Sequence, residues 1–549
     1  MVILITYLLI FISCNNQKEP PAQQIASTPQ ELQVKSKDLL KSYLDFADKN
    51  KGKINDSVSL TMMEELKEIY KRNQSEPAWS KEEVWLTSGD SLFDFIENSR
   101  LLGLFPEDYH YSQLVEIRAK IFNDSLKKND RRDAALWARA DLFLTDAFVH
   151  IVKDVRLGRL PQDSITMRRD SVLDIEFYWK QFSALQKDQP LSDIVKSLEP
   201  NHNDYWQLKA GIKKFLETAD YNEHTKIPSL KDSMFRTLLQ RRLYESGFIA
   251  FDSVKADSSQ LAEAVKKFQK HAGINIDGKV GEVTLRMLNT TDKERFVRIA
   301  ITMDRYKMLP EKMPDRYLWV NLPAYYLKLV EDDTVKLTSK IVCGKPITRS
   351  PVLNSSISEL ITYPQWTVPQ SIIEKEILPA AKKNPSYITK KGFSLVDSKG
   401  NEIHPDSVNW AKYKKGIPYK VVQGSGDANA LGVMKFNFSN KYAVYLHDTN
   451  QRSLFSNSDR AFSHGCIRVQ SWEQLAFDIL DHEGQGNMAK KDSVMSWLKQ
   501  KQKHSVPVRN RLPLFIRYFT CEGKNGEIVF YDDVYGEDKM LASKYYYSK

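Results

Sequence analysis

The chain has 549 residues, too many for a single hydrophobic core and enough for about three or four domains. Hydrophobic residues make up 42% and charged residues 27%, a balance that excludes a largely disordered chain. The net charge of +10 is spread over 80 basic and 70 acidic residues with no concentrated basic block, so a nucleic-acid partner is not indicated.

Four cysteines, Cys14, Cys343, Cys466 and Cys521, are too few and too scattered for a disulfide framework, and no CxxC pair suggests zinc. Val2 to Ile12 is an apolar run too short to span a bilayer as a helix, but it fits the core of an export signal. It ends Phe11-Ile12-Ser13-Cys14, which resembles the lipobox of bacterial lipoproteins. The resemblance implies that Cys14 becomes a lipidated first residue. The protein would then be anchored to a membrane in the periplasm, on the inner leaflet of the outer membrane. The alternative is an uncleaved apolar N-terminus with a buried cysteine. Residues 15–40 are polar, proline-bearing and free of aromatics, and are expected to form a flexible tether.

Residues 41–225 follow a helical period. Met62, Leu66 and Tyr70 are spaced by four, Leu92, Phe93 and Ile96 share a face, and the long apolar run Ala134 to Val152 is expected to be a central helix. Turns at Glu76-Pro77, Phe105-Pro106 and Leu160-Pro161 separate the helices, and His110 and His150 are read as structural. This segment is expected to be an all-α scaffold domain.

Residues 232–290 contain three short helical patterns. Leu239 and Leu243 precede Gly247, Ala264 and Phe268 precede Gly273, and Thr284-Leu285 follow the turn at Asp277-Gly278. The stretch AVKKFQKHAGINIDGKVGEVTLRMLN resembles the peptidoglycan-binding-type-1 domain. That implies a three-helix module contacting the cell wall, with a mere spacer as the alternative.

A connector over 291–317 leads to a change of period. Leu318, Val320 and Leu322 alternate with other residues, as do Tyr325, Leu327 and Leu329, with turns at Pro323-Ala324 and Asp332-Asp333. A β-rich catalytic domain is expected over 318–503, interrupted by an insertion at 370–423 that could cap a site. The closing segment 504–549 is expected to be a hairpin pairing Leu514–Tyr518 with Ile528–Phe530 around Lys524-Asn525-Gly526. The fold class is therefore multidomain α+β.

The chemistry concentrates in Ala443–Val469. His447 ends an apolar strand, and Cys466 lies inside Ser463-His464-Gly465-Cys466-Ile467-Arg468. A neutral imidazole can take a thiol proton and leave a thiolate nucleophile. The glycine before the cysteine lets the backbone bend, so the amides of Gly465 and Cys466 are expected to serve as oxyanion donors. Arg468 is placed to bind a carboxylate. Two alternatives remain at this level: His447, His464 and Cys466 as zinc ligands lacking a fourth, or Cys466 as a structural thiol.

The pattern H-x15-[ST]HGC-[IL]-[RN], met here as His447 to Arg468, is similar to the signature of the L,D-transpeptidase (YkuD-type) catalytic domain. The order of helical scaffold, peptidoglycan-binding module and β-rich domain with a cap is similar to its long multidomain subgroup. The resemblance implies Cys466 as nucleophile and His447 as its acid/base partner, with Ser463, His464 and Gly465 shaping the site. Arg468, Tyr445 and Trp366 would contact substrate. It implies peptidoglycan stem peptides and glycan as partners, no metal and no organic cofactor. The implied reaction is a cysteine thioester with a tetrapeptide stem, releasing D-alanine, then transfer to an amine to give a 3-3 crosslink. The same acyl-enzyme could instead serve an L,D-carboxypeptidase or attach a protein to the wall. A non-catalytic wall-binding scaffold is the reading from another class.

Overall fold

The computed structural model describes residues 19–547, apart from 56–57, 127–131, 162–171, 251–255, 273, 275 and 485–486, with no side chain at 124–126, 487 or 489. The lipobox-like segment with Cys14, and Gly273, lie outside the described residues. Two compact units are present: Met1–Arg159 with Arg168–Pro200, and Leu160–Met167 with Asn201–Lys549.

The first unit is helical around Ala134–Arg156, a helix buried on all sides because apolar residues occupy every face. Three carboxylates of this helix, Asp141, Asp146 and Asp154, are buried, and each is satisfied rather than idle. Asp141 accepts from the Tyr70 hydroxyl at 2.5 Å and from the amides of Ala78 and Trp79, and burial raises its pKa to about 6. Asp146 takes the amides of Thr61 and Met62 and contacts His110 Nε2 at 2.7 Å, while His150 pairs with Asp154 at 3.3 Å. Both histidines are structural, as expected.

Two boundaries need correction. Residues 15–40 are not all tether, since Pro29–Lys49 is a helix capped by Thr28, whose side chain accepts the Glu31 amide. Leu32, Leu39, Leu40 and Tyr43 are buried along one face. The polar residues that suggested a tether are the outer face of this amphipathic helix. The scaffold unit also ends at Pro200 rather than 225, because the helix Asn203–Thr218 belongs to the second unit. There it packs on a C-terminal hairpin so closely that a Cβ on Gly523 would lie 2.1 Å from the carbonyl oxygen of Gln207.

In the second unit, helices Phe235–Glu245, Ser258–His271 and Glu282–Asn289 surround a small core of Leu239, Leu243, Phe268 and Leu288. Buried Gln269 donates to Asp277 Oδ1 and the Lys279 carbonyl, and accepts the Asp277 and Gly278 amides. That explains why a glutamine follows Phe268: its amide ties the Asp277-Gly278 turn to the helix. Next, residues 291–317 are no open connector. Asp292–Lys307 is a helix with a capping box between Thr291 and Glu294, and much of it is buried.

The β body contains β1 (Arg316–Asn321), β2 (Tyr326–Glu331), β3 (Thr334–Gly344) and β4 (Leu353–Thr362). After the insertion come β9 (Met434–Phe438), β10 (Leu446–His447), β11 (Ala461–Ser463), β12 (Ile467–Val469) and β13 (His504–Arg517). Strand order is β11-β3-β12-β10-β9-β4-β13-β1-β2, and β2 also pairs with β3, so the ladder closes on itself. The helix Trp472–Asp481 follows β12 and buries Leu475, Ile479 and Leu480 in the same core.

The strand β13 corrects the expectation for 504–549. It lies between β4 and β1 in the main sheet, with Val506, Val508, Leu512, Leu514 and Ile516 buried. A register break between Pro507 and Leu512 interrupts its alternation and hides the strand. The hairpin is instead β14 (Cys521–Lys524) with β15 (Glu527–Phe530), turning at Asn525 and Gly526 with φ of 52° and 75°.

The insertion has its own sheet of β7 (Glu402–Ile403), β6 (Phe393–Val396), β8 (Lys420–Gln423) and β5 (Trp366–Thr367), in that order. Its separate core includes Ile373, Ile377, Leu378, Trp410 and Val421. Trp366-Thr367 therefore belong to the insertion's sheet, four residues ahead of the expected start at 370.

Candidate active site

The site forms where β10 and β12 run parallel, with Leu446 opposite Ile467 and His447 opposite Arg468. The Ile467 amide donates to the Tyr445 carbonyl at 3.0 Å, which sets Tyr445 beside Cys466. The Tyr445 amide and hydroxyl lie near enough to the Cys466 sulfur to draw its pKa down. Trp366, on β5 of the insertion, lies near enough to the Tyr445 hydroxyl to lower its pKa slightly against burial. The Tyr445 ring stands edge-on to His447 with centroids 5.7 Å apart, and the Lys435 ammonium lies 3.9 Å from the Tyr445 ring centre. Lys435 also sits opposite His447 across the β9–β10 ladder.

His447 is buried, and its Nδ1 lies 2.5 Å from the Asp448 carbonyl. A carbonyl only accepts, so Nδ1 carries the proton and Nε2 is the ring's basic atom. Burial first, then the charge of Arg468, lowers its pKa to about 3 against the pull of the Asp448 and Leu431 carbonyls. Burial therefore favours the neutral ring.

Burial pushes the Cys466 thiol up, and the Tyr445 groups, then Lys435 and Arg468, pull it back. Lys435 is itself lowered by burial, with Cys466 and then Glu359 pulling it back up. Replacing Lys435 with methionine is expected to raise the thiol pKa and slow alkylation of Cys466 at pH 7.5 several-fold. A pH series of iodoacetamide alkylation read by intact mass measures this; overlapping profiles for the two proteins would contradict it.

The residues of the Ser463–Arg468 stretch have separate tasks. Ser463 Oγ donates to the Cys466 carbonyl at 2.5 Å and accepts the Gly465 amide at 3.1 Å. This revises the expected oxyanion donors. The Gly465 N–H is committed to Ser463, whereas the Cys466 amide has no hydrogen-bond partner among the described residues. Gly465 adopts φ +121°, which an L side chain rarely does, so glycine is required by conformation rather than by lack of space. Arg468 Nη1 donates to Gln451 Oε1 at 3.0 Å.

His464 does not face the thiol's partners. Its Nε2 lies 2.5 Å from Glu376 Oε1, on the helical part of the insertion. The cap and the motif loop are thus joined by a hydrogen bond. A zinc set of His447, His464 and Cys466 is not formed, since His464 turns to Glu376 and His447 Nδ1 to a carbonyl.

Sequence reasoning named Tyr445 and Trp366 but missed Lys435, Glu376 and Gln451. Lys435 had a weak signal, as a charged residue within the alternating strand Met434–Phe438. Glu376 and Gln451 had none.

Comparison with known proteins assigns three segments. Residues 64–211 match the model of a scaffold domain, 235–288 that of a "Putative peptidoglycan binding domain", and 315–480 that of the L,D-transpeptidase catalytic domain. A protein of Haemophilus influenzae named "Putative L,D-transpeptidase" is 35% identical over 260 residues, which cover 47% of this chain and 52% of the relative. The chain thus aligns with about half of that relative's length. Among solved structures, an L,D-transpeptidase from Mycobacterium smegmatis is 13% identical, covering 37% of this chain and 58% of that one with a TM-score of 0.18. An L,D-transpeptidase (Yku) from Stackebrandtia nassauensis is 17% identical, covering 47% and 90% with a TM-score of 0.17. Superpositions that loose carry no weight. The match over residues 315–480 encloses His447, Cys466 and the strands that hold them, so it is this segment of the chain that is similar to the L,D-transpeptidase catalytic domain.

Proposed function

We propose that this protein is an L,D-transpeptidase of the bacterial cell envelope with Cys466 as its nucleophile. The observation that carries the reading is the setting of the thiol. Cys466 directly precedes β12, which pairs with β10 so that His447 faces Arg468, and Tyr445, Lys435 and Arg468 each draw the thiol pKa down against burial.

In this reading His447 Nε2 takes the thiol proton as the sulfur attacks the carbonyl joining a stem peptide to its terminal D-alanine. The Cys466 amide meets the oxyanion. Collapse of the tetrahedral intermediate breaks the C–N bond, and the departing amine receives the proton from the imidazolium, leaving a thioester. The amine of a second stem then attacks, loses its proton to His447, and expels the thiolate to give a 3-3 crosslink. Arg468 suits a substrate carboxylate, and the module at 235–288 would keep the enzyme on the wall. The Glu376–His464 contact favours an insertion closed over the motif, which limits water and supports an amine acceptor over hydrolysis. No helix among the described residues is long and apolar enough to cross a membrane. In this reading the enzyme is anchored by lipid at Cys14.

Incubation with tetrapeptide muropeptides, analysed by mass spectrometry beside Cys466→Ala, tests the proposal. Crosslinked dimers dependent on Cys466 are expected. Loss of D-alanine without dimers would make the enzyme a carboxypeptidase, and the absence of any cysteine-dependent product would refute both.

A further inference from the structure

The loop that carries the nucleophile rests on residues far from it in sequence. Ser350 Oγ donates to the Gly465 carbonyl at 2.7 Å and accepts the Gly344 amide at 2.9 Å. The Ser350 amide donates to the Tyr535 hydroxyl oxygen at 3.2 Å, and the Tyr535 hydroxyl donates to the Gly344 carbonyl at 2.8 Å. The Ser463 carbonyl accepts the Lys345 amide and the Thr348 hydroxyl, both at 3.0 Å. Tyr535 is itself fixed, because its amide donates to the Tyr518 hydroxyl oxygen at 2.8 Å and that hydroxyl donates to Asp533 at 2.6 Å. Ser350, Ser463 and Tyr535 are all buried, so each bond is protected from water and costly to leave unmade. Tyr535 lies beyond residues 315–480, outside the matched catalytic domain.

The peptide unit between Gly465 and Cys466 is planar, with its C=O and N–H pointing in opposite directions. Whatever holds the Gly465 carbonyl therefore aims the Cys466 N–H. We propose that Ser350, braced by Tyr535, is a positioning residue that points the Cys466 amide at the oxyanion. The C-terminal segment is then part of the catalytic apparatus. This inference rests on the reading of Cys466 as the nucleophile.

Acylation and alkylation of Cys466 separate positioning from mere structure. Acylation by a carbapenem builds an oxyanion, whereas alkylation by iodoacetamide needs only an accessible thiolate. In the full chain, Ser350→Ala is expected to slow acylation 10- to 100-fold and Tyr535→Phe at least fivefold, with alkylation within twofold of wild type. Ser350→Thr keeps the hydroxyl and is expected to recover acylation to within about threefold. Unchanged acylation in Ser350→Ala and Tyr535→Phe would overturn the proposal. So would an equal fall of acylation and alkylation in both variants, since that is what a loosened fold produces. Failure of the parent reading looks different: wild type itself would form no carbapenem adduct at Cys466.

Discussion

Replacing His447 with glutamine is expected to lower the rate of Cys466 acylation by roughly 10²- to 10⁴-fold, the usual span for a positioned proton acceptor. Glutamine can reproduce a hydrogen bond to the Asp448 carbonyl, but it offers no basic nitrogen to the thiol. Single-turnover acylation by a carbapenem, followed by intact mass, measures the loss; a fall of less than threefold would remove His447 from the mechanism. The wild-type pH profile carries a second signature. Because the folded-state pKa of His447 is about 3, protonation of this ring adds no acid limb to the profile above about pH 4.

The same ring makes the protein acid-sensitive. An imidazole buried neutral binds its proton more weakly when folded than when unfolded, so the unfolded state takes up protons first. Its contribution is fully present above the unfolded value near 6.5 and is lost as pH falls toward 3. Between pH 7.5 and 5 this amounts to about 2 kcal/mol, which His447→Gln removes. The variant is expected to lose less thermal stability than wild type over that interval, and a loss equal to or larger than the wild type's would show that the ring is not buried neutral.

These consequences were partly legible in the sequence. The spacing of His447 and Cys466 and the glycine before the thiol mark the chemistry, because they are local. Tyr445 and Trp366 were also named, yet their proximity was invisible, since Trp366 lies on the insertion's sheet. Lys435, Glu376, Ser350 and Tyr535 reach the site through strand register and long-range packing, which a one-dimensional pattern does not encode. The errors in organisation have a common cause. Polar faces of the helices Pro29–Lys49 and Asp292–Lys307 read as tether and connector, and a break in alternation masked β13. Amphipathic elements show their buried faces only when something packs against them.

Gly344→Ala is expected to destabilise the β body by on the order of 3 kcal/mol and to disable the site with it. A Cβ there would lie 2.1 Å from the Thr348 carbonyl oxygen, 2.7 Å from the Ser350 nitrogen and 2.9 Å from the Arg349 carbonyl carbon. All three are backbone atoms, so no side chain can swing aside, and the Gly344–Ser350 turn must open. Opening it withdraws Ser350 from the Gly465 carbonyl and Lys345 from the Ser463 carbonyl, so the nucleophile loop loses its support. Gly465→Ala is an instructive contrast. Its nearest neighbour is 3.5 Å away, and its cost comes only from the φ of +121°, of order 1–3 kcal/mol and confined to the loop. Cys343 provides the reporter, for it is buried next to Gly344 with its thiol pushed up to about 12 by that burial. In a Cys466→Ala background, labelling of Cys343 tracks opening of the body, and 3 kcal/mol corresponds to roughly a hundredfold faster labelling. Gly344→Ala is expected to show that acceleration, while Gly465→Ala leaves Cys343 protected and abolishes acylation when Cys466 is restored. Wild-type protection of Cys343 in Gly344→Ala would mean that the turn accommodates the methyl group, and that the tight packing around Gly344 does not hold the nucleophile loop in place.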